Sequence, residues 1–112
     1  MKKILIIGIL FFISLSLFSQ NIKDTSYYEN GAKKEILSFN NNLQLDGKCY
    51  RWNENGVLIG IASYKNGIKH GDWKIWESDG SPAYEMHYKN GEKYGTWLVY
   101  DNVGNIKEKR SF

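Results

Sequence analysis

The segment YKNGIKHGDWKIWESDGSPAYEMH, Tyr64 to His87, is followed directly by YKNGEKYGTWLVYDNVGNIKEKRSF, Tyr88 to Phe112, and the second segment repeats the first. The two align without a gap at a spacing of 24 residues. The matched positions hold glycines and aromatic residues: Tyr64 with Tyr88, Gly67 with Gly91, Gly71 with Gly95, Trp73 with Trp97, Trp76 with Tyr100, and Gly80 with Gly104. A fixed period of this length is typical of a chain built from one small supersecondary unit.

Each set of matched positions forms a column, and the columns extend towards the N-terminus if one extra residue is allowed within 40–42. The earlier members are Phe39 in the Tyr64 column, Gly47 in the Gly71 column, Trp52 in the Trp76 column and Gly56 in the Gly80 column. Tyr27 precedes Gly31 by four residues, just as Trp52 precedes Gly56. We therefore expect one repeat domain over residues 20–112, with two clear copies, one eroded copy and a leading half.

Two kinds of tight turn alternate in the unit. The turn dipeptides are Asn30-Gly31, Asn55-Gly56, Asn66-Gly67, Asp79-Gly80 and Asn90-Gly91. Asn-Gly and Asp-Gly accept the positive φ angles of a type I′ hairpin turn, so they predict that turn at all five places. Where a turn glycine is missing, we expect the Asn40-Asn41-Asn42 run to supply the next most tolerant residue.

The segments between these turns are short and rich in Tyr, Trp, Ile and Val, which favour strands over helices. The predicted fold is all-β: an elongated, single-layer antiparallel β-meander of repeated hairpins. Such a sheet has two faces and no central core, so it is stabilised between neighbouring units by aromatic rings. We expect structural roles for the column residues Trp52, Tyr64, Trp73, Trp76, Tyr88, Trp97, Tyr100, Gly67, Gly71, Gly80, Gly91, Gly95 and Gly104.

The pattern Tyr-x-Asn-Gly-x-x-x-Gly-x-Trp-x-x-(Trp/Tyr)-x-x-x-Gly occurs at Tyr64 to Gly80 and at Tyr88 to Gly104. It resembles the bacterial variant of the MORN repeat, and in particular the small repeat proteins often labelled antitoxins. The resemblance covers roughly Tyr27 to Phe112. It implies an elongated sheet of hairpins that acts as a binding or scaffolding module without catalytic activity, and the antitoxin label implies a protein partner.

The N-terminal residues predict a secretory signal peptide over 1–19. Lys2 and Lys3 are followed from Ile4 to Phe18 by fifteen uncharged, mostly apolar residues, and Ser19 is a small residue at the expected cleavage point. The apolar run is short for a transmembrane helix, although an uncleaved membrane anchor stays open as an alternative. We expect an exported protein that resides in the periplasm, in the cell envelope or outside the cell.

The charge of the chain argues against a nucleic-acid partner and against strong binding to a membrane surface. Removal of residues 1–19 lowers the formal net charge from +3 to +1, because Lys2 and Lys3 are the charged residues in that segment. The remaining charges are scattered along the predicted strands. The charged residues of the last strand, 105–112, discourage its pairing with another molecule, so we predict that this strand caps the sheet. The alternative is a surface strand whose charges have no such role.

Few residues are candidates for chemistry. Cys49 is the single cysteine, so it is either a reactive or intermolecularly paired thiol, or a small apolar substitute in the Trp73 and Trp97 column. His70 and His87 fit no metal or catalytic spacing, and the variable residues in their columns suggest solvent-facing positions. Glu85 and His87 share a strand face but lack a nucleophile. We therefore expect no enzyme activity, no cofactor and no metal site.

Aromatic residues outside the columns are the candidates for ligand contact, because they are less obliged to pack within the sheet. These are Tyr50, Tyr84 and Tyr94. Aromatic side chains anchor protein interfaces and also stack on sugars. The leading hypothesis is a non-catalytic, exported protein-binding or scaffolding module, and an antitoxin-like or immunity-like role is one form of it. The alternatives are glycan or peptidoglycan binding through exposed aromatics and, third, an enzyme that uses Cys49 or the two histidines.

Overall fold

The structure, a computed structural model, describes residues 21–112. The predicted signal peptide, residues 1–19, lies outside the described residues. Within 21–112 no helix is long and apolar enough to cross a membrane.

The described chain forms ten β-strands. They are β1 (Ile22–Tyr27), β2 (Lys33–Phe39), β3 (Gly47–Trp52), β4 (Leu58–Lys65), β5 (Ile68–Lys69), β6 (Gly71–Trp76), β7 (Pro82–Lys89), β8 (Glu92–Lys93), β9 (Thr96–Tyr100) and β10 (Ile106–Ser111). All ten belong to one antiparallel sheet in the order β1-β2-β3-β4-β6-β7-β9-β10, with β5 paired to β4 and β8 paired to β7. Apart from the two-residue strands β5 and β8, each strand pairs with the next one along the chain, which confirms the predicted meander of hairpins.

The two faces of the sheet carry different residues. Trp73 lies opposite Met86 and Ile75 lies opposite Tyr84 on one face, whereas Lys74 lies opposite Glu85 on the other. We call the first side the ring face, and its pairing register places on it Phe39, Tyr64, Trp73, Tyr88, Trp97 and Phe112. The second side is the opposite face, and it carries Ser38, Tyr50, Trp52, Ser63, Trp76, His87 and Tyr100. Trp73 and Trp76 therefore point to opposite sides, because side chains three residues apart in a strand lie on different faces.

The sheet has no central core in the described part of the chain. The buried residues are small: Ser38, Cys49, Ser63 and Ala83, and no large side chain is fully buried. Each aromatic ring is covered only in part, by the rings and strands next to it. Stability must come from contacts between adjacent units, as expected for a repeat protein.

Hydrogen bonds between units repeat along the side of the sheet that carries the short hairpins, β4–β5 and β7–β8. The amide N–H of Gly67 donates to the carbonyl of Leu45 at 2.7 Å, and one repeat later Gly91 donates to Lys69 at 2.8 Å. On the side that carries the longer hairpins, such as β3–β4 and β6–β7, the side-chain amide of Asn53 donates to the carbonyl of Ser78 at 2.9 Å. Each turn is thus tied to its neighbour as well as to its own strands.

The short hairpins have the predicted turn. Asn66 and Gly67 have φ angles of 49° and 81°, and Asn90 and Gly91 have 52° and 85°. Positive φ at both central residues is the requirement of a type I′ turn. The prediction is confirmed at these two places.

The long hairpins β1–β2, β3–β4 and β6–β7 do not have a type I′ turn. The prediction of that turn is therefore wrong at Asn30-Gly31, Asn55-Gly56 and Asp79-Gly80. There only the glycine has a positive φ, for example 83° at Gly56. The loop is longer: the N–H of Asn53 donates to the carbonyl of Val57, and Gly56 donates back to Asn53. The following strand carries a β-bulge at Ile59. A turn of this length needs a left-handed residue only at its last position.

The loop between β2 and β3 has the same form, and it also corrects a prediction. The Asn40 side chain accepts hydrogen bonds from the N–H groups of Asn42 and Gln44, as Asn53 does in the next unit. The left-handed residue is Leu43, with φ of 59°, and none of the three asparagines. Asn40 is needed as the acceptor that closes the loop, which leaves the left-handed position to the residue three places later.

Leu43→Gly is expected to stabilise the protein. A left-handed conformation costs a residue with a Cβ roughly 1–2 kcal/mol, and the extra unfolded-state entropy of glycine offsets about 0.5–1 kcal/mol of the gain. Leu43 is 73% exposed, so little apolar burial is lost. We expect the free energy of unfolding, measured by chemical denaturation, to rise by about 0.5–1 kcal/mol.

Val103→Gly is the matched control. Val103 is 79% exposed in the equivalent loop before Gly104, but its φ is not positive. Glycine there is expected to lower the free energy of unfolding by about 0.5–1 kcal/mol. Equal destabilisation by both substitutions would show that Leu43 carries no conformational strain.

Candidate functional site

The ring face carries a continuous ladder of five aromatic rings. The centroid distances are 5.2 Å from Tyr64 to Trp73, 5.4 Å from Trp73 to Tyr88, 5.3 Å from Tyr88 to Trp97 and 4.8 Å from Trp97 to Phe112. The planes are inclined by 57–64°, so one pair is edge to face and three are tilted, and none is a face-to-face stack. The ladder therefore joins each unit to the next.

Backbone carbonyls hold the tryptophans of the ladder in place. The indole N–H of Trp73 donates to the carbonyl of Ser63 at 3.0 Å, and Trp97 donates to the carbonyl of His87 at the same distance. Both acceptors belong to one column, whose earlier member is Ser38. The repeat thus provides a carbonyl acceptor for each indole.

Lysines lie over the rings. The Lys69 ammonium is 5.0 Å from the Trp73 ring centroid and 4.9 Å from that of Tyr88, and Lys93 takes the same place over Trp97 and Phe112. These distances allow cation–π attraction. Neither lysine takes part in the salt bridges of residues 21–112. Both ammonium groups are therefore available to an anionic group of a ligand.

The ladder is interrupted at Cys49. This residue stands in the Trp73 column, and it lies opposite Ala62, where the next unit has Met86 opposite Trp73. Arg51 likewise lies opposite Gly60, where the next unit has Ile75 opposite Tyr84. Small residues thus replace large ones at three neighbouring positions of the ring face.

A groove of about 460 Å³ lies at this interruption. Cys49, Gly60 and Ala62 form its floor, and its walls include Leu37, Leu45, Tyr64, Trp73 and Ile75. Partial burial raises the pKa of the Tyr64 hydroxyl, with a smaller contribution from nearby Cys49. At the rim, a guanidinium nitrogen of Arg51 lies 3.3 Å from a carboxylate oxygen of Glu35. The groove is mainly apolar with a charged edge, the usual character of a binding pocket.

A smaller hollow of about 260 Å³ lies further along the same face, between Tyr84, Met86, Val99 and Phe112. The ion pair of Arg110 with Glu108 borders it. Ile75 and Tyr84, which pair across the strands, are exposed between the two hollows. The ring face therefore presents a connected series of apolar surfaces.

The three tyrosines predicted to contact a ligand do not share one face. Tyr84 is 45% exposed and lies on the ring face. Tyr50 lies on the opposite face, where its ring is nearly parallel to that of Trp52 at a centroid distance of 6.0 Å. Tyr94 is 43% exposed and lies 5.9 Å from the ring of His87, a residue of the opposite face. Their roles in binding stay predictions.

The structure does not bring Cys49, His70 and His87 together. His87 lies on the face away from Cys49, with its Nδ1 2.7 Å from a carboxylate oxygen of Asp72. His70 accepts a hydrogen bond from the backbone N–H of Asn90. No group of three metal-binding side chains occurs within 21–112.

The prediction that the two histidine columns face solvent is wrong for two members of the His87 column, whereas Tyr94 of the His70 column is exposed. The His87 column includes Ser38 and Ser63, which are buried. In the His70 column, Asp46 accepts a hydrogen bond from the N–H of Asn66, as His70 does from Asn90. Asp46 and His70 thus serve as hydrogen-bond acceptors, and Ser38 and Ser63 fill positions with room for a small side chain.

Glu85 and His87 also form no pair with each other, because each has another partner. Glu85 accepts a hydrogen bond from the hydroxyl of Tyr100 at 3.0 Å. This bond raises the pKa of Tyr100, since ionisation would remove the proton that the hydroxyl donates to Glu85. The arrangement belongs to the packing of the opposite face.

The groove was not foreseen from the sequence, although a signal for it was present. Gly60, Ala62 and Cys49 stand in columns that hold Tyr84, Met86 and Trp73 in the next unit. Comparing side-chain size along each column, in addition to residue identity, would have located the gap.

The family model described as "MORN repeat variant" matches residues 25–41, 45–66 and 69–90, which is more than half of the chain. The chain belongs to the MORN repeat variant family. MORN repeats are commonly binding or scaffolding modules. Residues 91–112 lie beyond the matched stretches, yet β9 and β10 form the same long hairpin with the same bulge as the earlier MORN units. The searches of curated proteins and of solved structures gave no match.

Proposed function

We propose that this MORN sheet is a non-catalytic, exported module of the cell envelope that binds a protein partner through its ring face. The observation that carries the proposal is the run of apolar hollows on that face, bridged by the exposed pair Ile75 and Tyr84. Aromatic residues in apolar pockets are the usual anchors of protein interfaces. Lys69 and Lys93 supply cationic groups beside the rings.

The export part of the proposal rests on the sequence of residues 1–19, with its basic start and apolar run. An antitoxin-like or immunity role is one form of the proposal, in which the partner is a toxin that acts in the envelope. A scaffold that holds two envelope proteins is another form. Both use the same face, so one experiment addresses them together.

The test is affinity capture from an envelope extract with the full chain, carrying a C-terminal tag on a flexible linker. Tyr84→Ala is expected to reduce the captured partner at least fivefold, because truncating an interface anchor costs more than about 1 kcal/mol. Tyr94→Ala is the matched control, since Tyr94 is equally exposed but lies beside the opposite face. Equal capture by both variants and the unchanged chain would contradict binding on the ring face.

A second candidate function, glycan or peptidoglycan binding, is favoured by one observation on the opposite face. The rings of Tyr50 and Trp52 are nearly parallel, at an angle of 25°, and the Lys33 ammonium lies 5.9 Å from the Trp52 ring centroid. Adjacent parallel rings form a surface on which sugar rings stack. This candidate uses a different face from protein binding, so variants separate the two.

If the glycan candidate holds, the chain sediments with purified peptidoglycan and soluble sugar fragments quench its tryptophan fluorescence. Tyr50→Ala is expected to reduce both signals at least threefold, since loss of one stacked ring costs roughly 1 kcal/mol. Tyr84→Ala is the control and leaves them unchanged. Absence of sedimentation and of quenching for the unchanged chain would eliminate this candidate.

A further inference from the structure

The groove at Cys49 has the position of a missing tryptophan. The ring of Trp73 packs next to that of Tyr64, and Cys49 stands in the Trp73 column just as Phe39 stands in the Tyr64 column. In the later units a lysine, Lys69 or Lys93, lies over the indole ring, whereas the same column position here holds Leu45. The apolar space that an indole fills in the later units is left open here.

The surroundings of this space match an aromatic side chain better than an aliphatic chain or a polar group. Tyr64 and Trp73 form one wall, so an incoming ring meets other rings edge to face, as in the ladder itself. Gly60 and Ala62 keep the floor low, which lets a large planar group reach the sheet. Leu37 and Leu45 close the far side.

The charges at and beside the groove indicate what accompanies that side chain. Arg51, at the rim, is already paired with Glu35. Lys69 does not line the groove, but it lies opposite the wall residue Tyr64 and 5.0 Å from the ring centroid of Trp73, and it has no carboxylate partner among the described residues. A carboxylate next to the incoming ring would be within reach of this ammonium group, whereas a cationic neighbour would be repelled.

We propose that the groove is the primary anchor site of the protein partner and that it takes a tryptophan-sized aromatic side chain with a carboxylate beside it. This inference rests on the proposed function, since it names the group by which the partner is recognised. The incoming ring packs beside Tyr64 and extends the ladder by one ring towards β2. Binding thereby restores the ring contacts that the first full unit lacks.

The first experiment titrates the isotope-labelled full chain with N-acetyl-Asp-Trp-amide and follows the amide signals of Cys49, Gly60 and Ala62 by NMR. These signals are expected to shift with saturation in the millimolar range. N-acetyl-Lys-Trp-amide is expected to bind at least threefold more weakly, and N-acetyl-Asp-Ala-amide not to shift them. Shifts confined to residues outside the groove, or equal shifts with the alanine peptide, would overturn the proposal.

The other possible occupants are outcomes of the same titration. If a second copy of this chain fills the groove, its signals change with protein concentration before any peptide is added. If residues 1–20 of the same chain fill it, the peptide leaves the groove signals unmoved. Either result overturns the proposal.

The second experiment closes the groove from within by Cys49→Trp. The new indole has the Ser38 carbonyl as acceptor, in the column that serves Trp73 and Trp97, so the sheet is expected to stay folded with an undiminished melting temperature. Binding of the Asp-Trp peptide is expected to fall at least tenfold. Tyr100→Trp, which adds an indole to a tryptophan column on the opposite face, is the control and keeps full binding.

If Cys49→Trp does not fold, Ala62→Met replaces it, because methionine occupies the matching position 86. A folded variant of either kind that still binds the peptide would overturn the proposal. Capture of the same protein partner by the unchanged chain and by Cys49→Trp would also overturn it, while leaving the proposed function intact. Capture of no protein by the unchanged chain would instead contradict the proposed function, and the peptide titration would then decide the groove by itself.

Discussion

The contact between an aromatic ring of one strand and the ring of the next is the interaction on which this sheet depends. A sheet with a single layer has no opposing layer to pack against, and the fully buried interior of an ordinary domain has no counterpart in residues 21–112. Rings are wide enough to cover the neighbouring strand, so Trp73 can contact both Tyr64 and Tyr88. Apolar burial is thereby distributed along the sheet, one unit against the next.

The glycines and turns keep the units in register, and this allows the aromatic rings of neighbouring units to contact each other. Gly71 has φ of 109°, and a Cβ there would lie 3.0 Å from the Cβ of buried Ser63. This residue lets the chain between β5 and β6 change direction close to β4 while both strands stay paired with it. The bonds from Gly67 and Gly91 to the preceding unit then fix the distance between repeats.

The interruption of the ladder changes the shape of the ring face. The positions that carry Trp73, Tyr84 and Met86 in one unit carry Cys49, Gly60 and Ala62 in the unit before it. In a protein with a central core this change would leave an internal cavity. In a single-layer sheet it leaves a groove open to solvent, which is the groove described at Cys49.

Much of the fold could be predicted from the sequence, because the period of 24 residues and the turn dipeptides constrain strand length and order. The type of turn could not be read from Asn-Gly alone, since the loop length, set by the bulge at Ile59, decides which residues need positive φ. The left-handed conformation of Leu43 could not be predicted for the same reason. The face proposed to bind a partner could not be predicted at all, because Tyr50, Tyr84 and Tyr94 look alike in the sequence, and only strand pairing and ring contacts separate them.

The most direct test of the account is a double-mutant cycle on Trp73 and Tyr88, using leucine at each position and measuring free energies of unfolding by chemical denaturation. If ring contacts between units stabilise the sheet, the two substitutions are non-additive, with a coupling of about 0.5–1.5 kcal/mol. Leucine retains most of the apolar area, so the coupling reports ring-to-ring contact and not burial alone. A coupling indistinguishable from zero would contradict the account.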